Sequence, residues 1–161
     1  GKGTAASGHA ALEGVTRISD AEKEMIRKAL AENRAQFYLD FASNPFYGFN
    51  RPGAKPIPGI IQNWWRQGMA GGAKAHYDCI KAFSETDFTE DLKKIAVPVL
   101  VMHSEDDQIV PVNDSAKKSA RLIRGAKEIY YPGAPHGFFN FKHAQTPRLR
   151  QDVLEFLAVY T

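Results

Sequence analysis

The feature of this sequence that most restricts its fold is the apolar run Val-Pro-Val-Leu-Val-Met at residues 97–102. An uninterrupted apolar segment of this length, bounded by polar residues, is typical of a strand buried on both faces of a parallel sheet. Proline has no backbone N–H to donate, so Pro98 fits only near the beginning of such a strand. The run therefore predicts an α/β protein.

The residues that follow predict the rest of a β-α-β-α unit. Residues 113–115 (Asn-Asp-Ser) are a helix N-cap pattern, and Gly125 is placed to end that helix. Residues 127–131 form a second strand in this interpretation, and Thr146 with Pro147 opens a last helix. The order strand, helix, strand, helix predicts one right-handed crossover between two parallel strands.

The part of the chain before the apolar run, residues 19–88, predicts helices. Ser19 and Glu22 match a capping box, in which the side chain of each residue accepts a hydrogen bond from the backbone N–H of the other. This first helix should end before the turn residues that lead into a proline-rich loop at residues 50–59. A second helical pattern follows the loop and is interrupted by a Gly-Gly pair.

Composition limits the function further. The 161 residues carry a net charge of +3 in short mixed patches, which indicates a solvated surface and no nucleic-acid partner. No apolar run approaches the roughly 20 residues of a membrane-spanning helix, and the start of the chain lacks a signal-peptide pattern. We therefore expect a soluble, cytoplasmic protein that makes no membrane contact.

The first 18 residues and the single cysteine offer no nucleophile. Residues 1–18 are small and polar without a period, so we expect a flexible leader or linker. Ser7 has no apolar strand before it and lacks the glycines two residues before and after it that would let a strained nucleophile elbow form, so it is a poor nucleophile candidate. Cys79 is alone, which excludes an intrachain disulfide, a cysteine-ligated iron-sulfur cluster and covalent haem attachment. We expect it to be a small buried hydrophobic residue on a cap helix.

Polar residues come directly after both predicted strands, at the rim where ligands bind in open parallel sheets. Glu105, Asp106 and Asp107 follow the first strand, and His136 follows the second. A carboxylate that orients an imidazole, which then deprotonates a hydroxyl, is the logic of a hydrolase triad, although such residues singly are more often solvated loop residues. Three adjacent carboxylates cannot all point at one ion, so we expect no metal. His103, next to the acidic residues, is expected to orient their loop.

Longer segments around these residues resemble the cofactor-free haloperoxidases, which are also described as arylesterases and perhydrolases. The similar segments span residues 20–161 and comprise the acid-bearing strand and loop at 98–111, the histidine loop at 133–138, and cap segments at 33–37, 45–48 and 84–88. The resemblance implies the C-terminal part of an α/β-hydrolase. Residues 19–88 would form the helical cap of the hydrolase. Residues 89–161 would supply the last parallel strands and helices of its core, so the sheet would be incomplete in this chain.

The resemblance also implies residue roles. The triad acid falls on Asp107 and the triad base on His136, without any cofactor. The acyl pocket would be apolar, formed by Phe46, Phe83, Ile109 and Val110.

The Gly-x-Ser-x-Gly nucleophile motif of α/β-hydrolases does not occur in the sequence, so the nucleophile is left unassigned. We expect the N-terminal half of the hydrolase to be supplied by a companion chain, or the chain to work in a homo-oligomer, because the sheet edge is unpaired. The implied reaction is hydrolysis of small apolar or aryl esters through an acyl-enzyme, which water or hydrogen peroxide resolves. The alternatives are a non-catalytic fragment or interaction module, and a hydrolase that recruits another nucleophile.

Overall fold

The computed structural model describes residues 9–11 and 16–160, with side chains from residue 19 onward. Two short strands, β1 (His9–Ala11) and β2 (Thr16–Ile18), pair antiparallel where the sequence predicted no regular structure. The remainder of the predicted leader, including Ser7, lies outside the described residues.

Four helices follow the short strands; the first three lie in the helical segment predicted from the sequence, and the fourth lies just beyond it, where no helix was predicted. The capping box at the start of the first one is confirmed, since the Glu22 N–H donates to Ser19 Oγ at 3.2 Å and the Ser19 N–H donates to the Glu22 carboxylate at 3.0 Å. The second helix begins at Pro58, inside the predicted loop, because proline suits the first turn of a helix. The helices are α1 (Asp20–Ser43), α2 (Pro58–Ala70), α3 (Ala73–Glu85) and α4 (Thr89–Lys93).

The long helix α1 packs against both α2 and α3, and it is kinked. Asn33 leaves the helical conformation, and its Oδ1 accepts the N–H of Gln36 at 3.0 Å, so it acts as an internal N-cap for the second half of the helix. Beyond the kink, the Trp65 indole N–H donates to the Ala35 carbonyl at 2.9 Å and fastens α2 to α1.

The second half of the chain confirms the predicted order of strand, helix, strand, helix. The two strands are parallel, and their register runs from Leu100 opposite Lys127 to Ser104 opposite Tyr131. Parallel strands end at the same edge of a sheet, so the loops after them emerge side by side. The elements are β3 (Leu100–Ser104), α5 (Ala116–Leu122), β4 (Lys127–Tyr131) and α6 (Thr146–Ala158).

Two local expectations were wrong. The strand predicted at residues 97–102 starts at Leu100, and most of it is half-buried, because the described sheet has two strands and leaves part of each face uncovered; Val97 is 68% exposed. Ser115 does not cap α5 with its side chain. Its hydroxyl donates instead to the Pro111 carbonyl at 2.8 Å, in the 3₁₀ turn that precedes the helix.

Among the described residues, two apolar clusters of the interior share one half-buried neighbour. The cap cluster is centred on Ala42, Tyr47 and Ile61, and the core cluster on Tyr131, Ala134 and Phe138. Phe141 packs against both clusters, so the helical segment and the sheet share a continuous interior. Within the described part of the chain, every helix is too short or too polar to cross a bilayer.

Candidate active site

The loops after β3 and β4 are joined to each other by their backbones. The Glu105 N–H donates to the Tyr131 carbonyl at 3.0 Å, and the Asp106 N–H donates to the Ala134 carbonyl at 3.1 Å. These bonds extend the pairing of the two strands into the loops beyond them. The acid loop and the histidine loop are therefore held in a fixed relation, which sets the distance between the side chains they carry.

Asp107 is the buried member of the acidic trio. Its side chain is 2% exposed, and Oδ1 accepts the backbone N–H groups of Ile109 at 2.9 Å and Val110 at 2.8 Å. The loop therefore wraps around its own carboxylate and fixes its orientation. The other oxygen, Oδ2, is left to face the histidine loop.

His136 lies against that second oxygen. Its Nδ1 is 2.7 Å from Asp107 Oδ2, and its side chain is 29% exposed. An ionised carboxylate only accepts hydrogen bonds, so Nδ1 must carry the proton of the pair. In the neutral ring Nε2 then keeps its lone pair, which is the state that a general base needs.

The environment favours the ionised form of the acid. Burial by itself raises the pKa of the Asp107 carboxyl. The ring N–H groups of His103 and His136 and the Val110 amide oppose burial and hold this pKa well below its usual range. The carboxylate is therefore charged throughout the neutral pH range and can stabilise an imidazolium beside it.

A ring from the loop between α1 and α2, residues 44–57, covers His136; this segment is called the cap loop below. The Phe46 ring meets the imidazole edge to face, with centroids 4.9 Å apart, and the Phe46 carbonyl accepts the Gly137 N–H at 2.8 Å. Gly137 is required by this close approach, because a Cβ there would lie 2.6 Å from the rings of both Phe46 and Tyr47. The cap loop thus packs directly on the histidine loop.

The same cap loop holds the residues on either side of Asp107. Arg51 donates two hydrogen bonds to the Asp106 carboxylate and forms an ion pair with it. The distance from Arg51 Nε to Asp106 Oδ2 is 2.8 Å. Asn50 and Gln108 exchange side-chain hydrogen bonds of 2.9 Å and 3.0 Å. The sequence interpretation missed both pairs, because their members are more than 50 residues apart and polar loop residues carry no periodic pattern.

The structure brings most of the expected pocket residues together, with one exception. Phe46 contacts His136, and Ile109 and Val110 lie at the acid through their backbone N–H groups. Phe83 is 64% exposed on α3 and belongs to neither buried cluster. Its assignment to the acyl pocket therefore has no support from these contacts.

The described residues that could serve as a nucleophile do not contact His136. The hydroxyls of Ser19, Ser84 and Ser115 bond to Glu22 or to backbone carbonyls and not to His136. Cys79 is exposed on α3, so the expectation that it is buried was wrong; the neighbouring Ile80 takes the inward position on that helix. Across the part of the chain with described side chains, no three His, Cys, Asp or Glu residues cluster as metal ligands.

The parallel strands with an acid and a histidine at their carboxyl ends define an α/β-hydrolase core. The chain belongs to the prolyl oligopeptidase family, whose family model matches residues 25–161.

The chain is also similar to individual proteins that are named as esterases, perhydrolases or haloperoxidases. The chain is 56% identical over 132 residues to a bifunctional esterase/perhydrolase of Acinetobacter calcoaceticus, covering 82% of this chain and 47% of the relative. It is 62% identical over 111 residues to a non-heme haloperoxidase of Rhodococcus erythropolis, covering 69% and 40%. The crystal structure of a bromoperoxidase from Bacillus anthracis superposes with a TM-score of 0.79 at 28% identity, covering 88% of this chain and 50% of that one. The chain spans about half the length of the curated relatives it matches, and the matched part is their C-terminal half.

Proposed function

We propose that this chain supplies the acid, Asp107, and the base, His136, of a serine hydrolase that acts on small apolar or aryl carboxylic esters. The observation that carries the proposal is the 2.7 Å contact between His136 Nδ1 and a buried carboxylate, which leaves Nε2 with a free lone pair. The names of the relatives, esterase, perhydrolase and haloperoxidase, support the same class of chemistry.

The proposed reaction starts with a serine hydroxyl that lies outside this chain's described residues. His136 Nε2 takes the hydroxyl proton as the oxygen attacks the ester carbonyl, and Asp107 stabilises the imidazolium that forms. The imidazolium then gives its proton to the departing alcohol, and an acyl-enzyme remains. Water or hydrogen peroxide attacks this intermediate while His136 accepts its proton, and His136 then returns the proton to the serine oxygen as the acyl–serine bond breaks, so the product is a carboxylic acid or a peracid. A peracid released in this way can oxidise halide, which accounts for halogenation without haem or metal.

The pocket that we propose is apolar. Phe46 contributes a ring against His136, and Ile109 and Val110 are half-buried beside the acid. Apolar walls of this kind favour uncharged acyl groups, because a charged group would lose its hydration there without gaining a partner. Phe83 remains a proposed pocket residue that would need a further covering segment. We propose that the serine comes from the N-terminal half of the hydrolase, as a companion chain or in a homo-oligomer, in the cytoplasm.

The test uses the complete hydrolase that contains this chain. His136→Ala should lower kcat for p-nitrophenyl acetate by about 10² to 10⁴-fold, the usual contribution of a general base. Peracid formation from acetate and hydrogen peroxide should fall in parallel. His143→Gln is the matched control, because His143 is also a half-buried histidine but packs against Phe138 and Phe141, away from the acid.

A fluorophosphonate probe identifies the nucleophile in the same material. Labelling of a serine outside residues 1–161 supports the proposal. Labelling of Ser7 would contradict it, and absence of labelling would favour a non-catalytic role. Near full activity of His136→Ala would show that the base is another group.

A further inference from the structure

A second histidine touches the carboxylate of Asp107. His103 is the fourth residue of β3, and its side chain is 17% exposed. Its Nε2 lies 2.8 Å from the Val110 carbonyl oxygen and 3.2 Å from Asp107 Oδ2. The proposed reaction above gives no task to this ring.

The partners of His103 determine its protonation. A backbone carbonyl and an ionised carboxylate are both acceptors, so Nε2 must carry a proton, which it donates to the nearer Val110 carbonyl beside Asp107 Oδ2. Asp107 therefore accepts three hydrogen bonds, from Ile109 and Val110 on Oδ1 and from His136 on Oδ2, and His103 Nε2 lies 3.2 Å from Oδ2 as a further polar contact. A carboxylate offers about four lone-pair sites, so four N–H groups around it leave no further site open.

These contacts close a ring around the carboxylate. His103 donates to the Val110 carbonyl, the Val110 N–H donates to Asp107 Oδ1, and Asp107 Oδ2 lies 3.2 Å from His103 Nε2. Rotation of the carboxylate about its Cβ–Cγ bond would break a bond on each side of the ring. The ring therefore keeps Oδ2 turned toward the remaining donor, which is His136.

We infer that His103 is a positioning residue of the hydrolase. It orients the Asp107 carboxylate toward His136 and keeps that orientation when the imidazolium forms. The inference rests on the proposed function, since it presupposes that Asp107 and His136 work as a pair. His103 itself lies behind the acid and acts only through it. Burial lowers the pKa of His103, but the bonds to Asp107 and Val110 outweigh burial and raise it.

Two variants distinguish the loss of the N–H donor at residue 103 from a change in the packing of its side chain. His103→Phe keeps a planar ring but has no donor, whereas His103→Gln keeps an amide N–H at a similar reach. In the complete hydrolase, His103→Phe should lower kcat about 10- to 100-fold with KM close to that of the wild type, because a misplaced base slows the reaction more than it weakens binding. His103→Gln should restore most of kcat.

Proton NMR of the same variants supplies a readout that packing alone would not move. The hydrogen-bonded Nδ1–H proton of His136 should shift or vanish in His103→Phe and return in His103→Gln. If His103→Phe does not fold, His103→Leu replaces it, since leucine is smaller and also has no N–H to donate.

The outcomes divide cleanly. A folded variant without the donor that keeps wild-type kcat, a His103→Gln enzyme as slow as that variant, or a loss of kcat with an unchanged His136 proton would each overturn the inference. The activity of His136→Ala decides the proposed function separately. If His136→Ala is inactive while the donor-free variant is fully active, only the role of His103 is refuted.

Discussion

Replacement of Gly137 by alanine tests the packing of the cap on the histidine loop with the smallest possible change. A Cβ at this position would lie 2.6 Å from one ring carbon of Phe46 and 2.6 Å from one of Tyr47. Ordinary contact begins at 3.4 Å, so the rings would have to retreat by roughly 0.8 Å. The φ angle of Gly137 is −90°, which alanine adopts readily, so the effect is purely steric.

The surroundings determine how much this retreat costs. Tyr47 is 4% exposed, and the half-buried Phe46 also packs against Trp64 with centroids 5.1 Å apart, so neighbouring side chains oppose the retreat of both rings. Overpacking of this kind destabilises by about 1 to 3 kcal/mol. Because Phe46 also rests on His136, the base should move with it, and a displacement approaching 1 Å lowers kcat by about 10- to 100-fold.

The assay combines kcat for p-nitrophenyl acetate with urea unfolding of the complete hydrolase. Gly59→Ala is the matched control, because nothing lies within 4 Å of a Cβ there and the residue is in the first turn of α2. Alanine should leave kcat unchanged at that site and add up to about 1 kcal/mol of stability. Wild-type rate and stability in Gly137→Ala would refute the reasoning, as would equal damage in the control.

Two further predictions concern stability. Tyr131→Phe should lower the free energy of unfolding by about 1.5 to 3 kcal/mol, because the fully buried Tyr131 donates its hydroxyl to the Asp152 carboxylate at 2.9 Å. Tyr130→Phe removes only an exposed hydrogen bond to Glu128 and should lower it much less. Equal urea midpoints for the two variants would contradict this prediction. The folded-state pKa of Asp107 lies below its unfolded value of about 3.9, so its charge adds stability above that pH which is lost as the pH falls. The stability of Asp107→Asn should therefore fall less steeply below about pH 4 than that of the wild type, and parallel pH profiles would show that the carboxylate does not contribute.

Local patterns were the reliable part of the sequence. The capping box at Ser19 and Glu22 predicted the start of α1, and β4 lies at residues 127–131, where the pattern placed it. These elements depend on neighbours within a turn or on flanking turn residues. Their physical causes are contained in a few consecutive residues, so one segment of sequence is enough to predict them.

Other features were not predictable in this way. The sequence pattern did not predict the interruption of α1 at Asn33, nor that Ile80 and not its neighbour Cys79 takes the buried position on α3. The sequence placed an acid and a histidine at one rim, and it took the resemblance to select Asp107 from three adjacent carboxylates. The ion pair that engages Asp106 depends on Arg51, 55 residues away, which no local pattern connects to it.

Phe141, which packs against both apolar clusters, limits how such enzymes can be recombined. A cap taken from a relative would bring its own partners for this ring, while the ring itself would stay with the recipient's histidine loop. Chimeras cut between residues 88 and 89 should therefore fail unless Phe141 and its loop are exchanged together with the cap. By the same logic, substitutions that accumulate in the cap loop and in the histidine loop should co-vary among descendants of one ancestor.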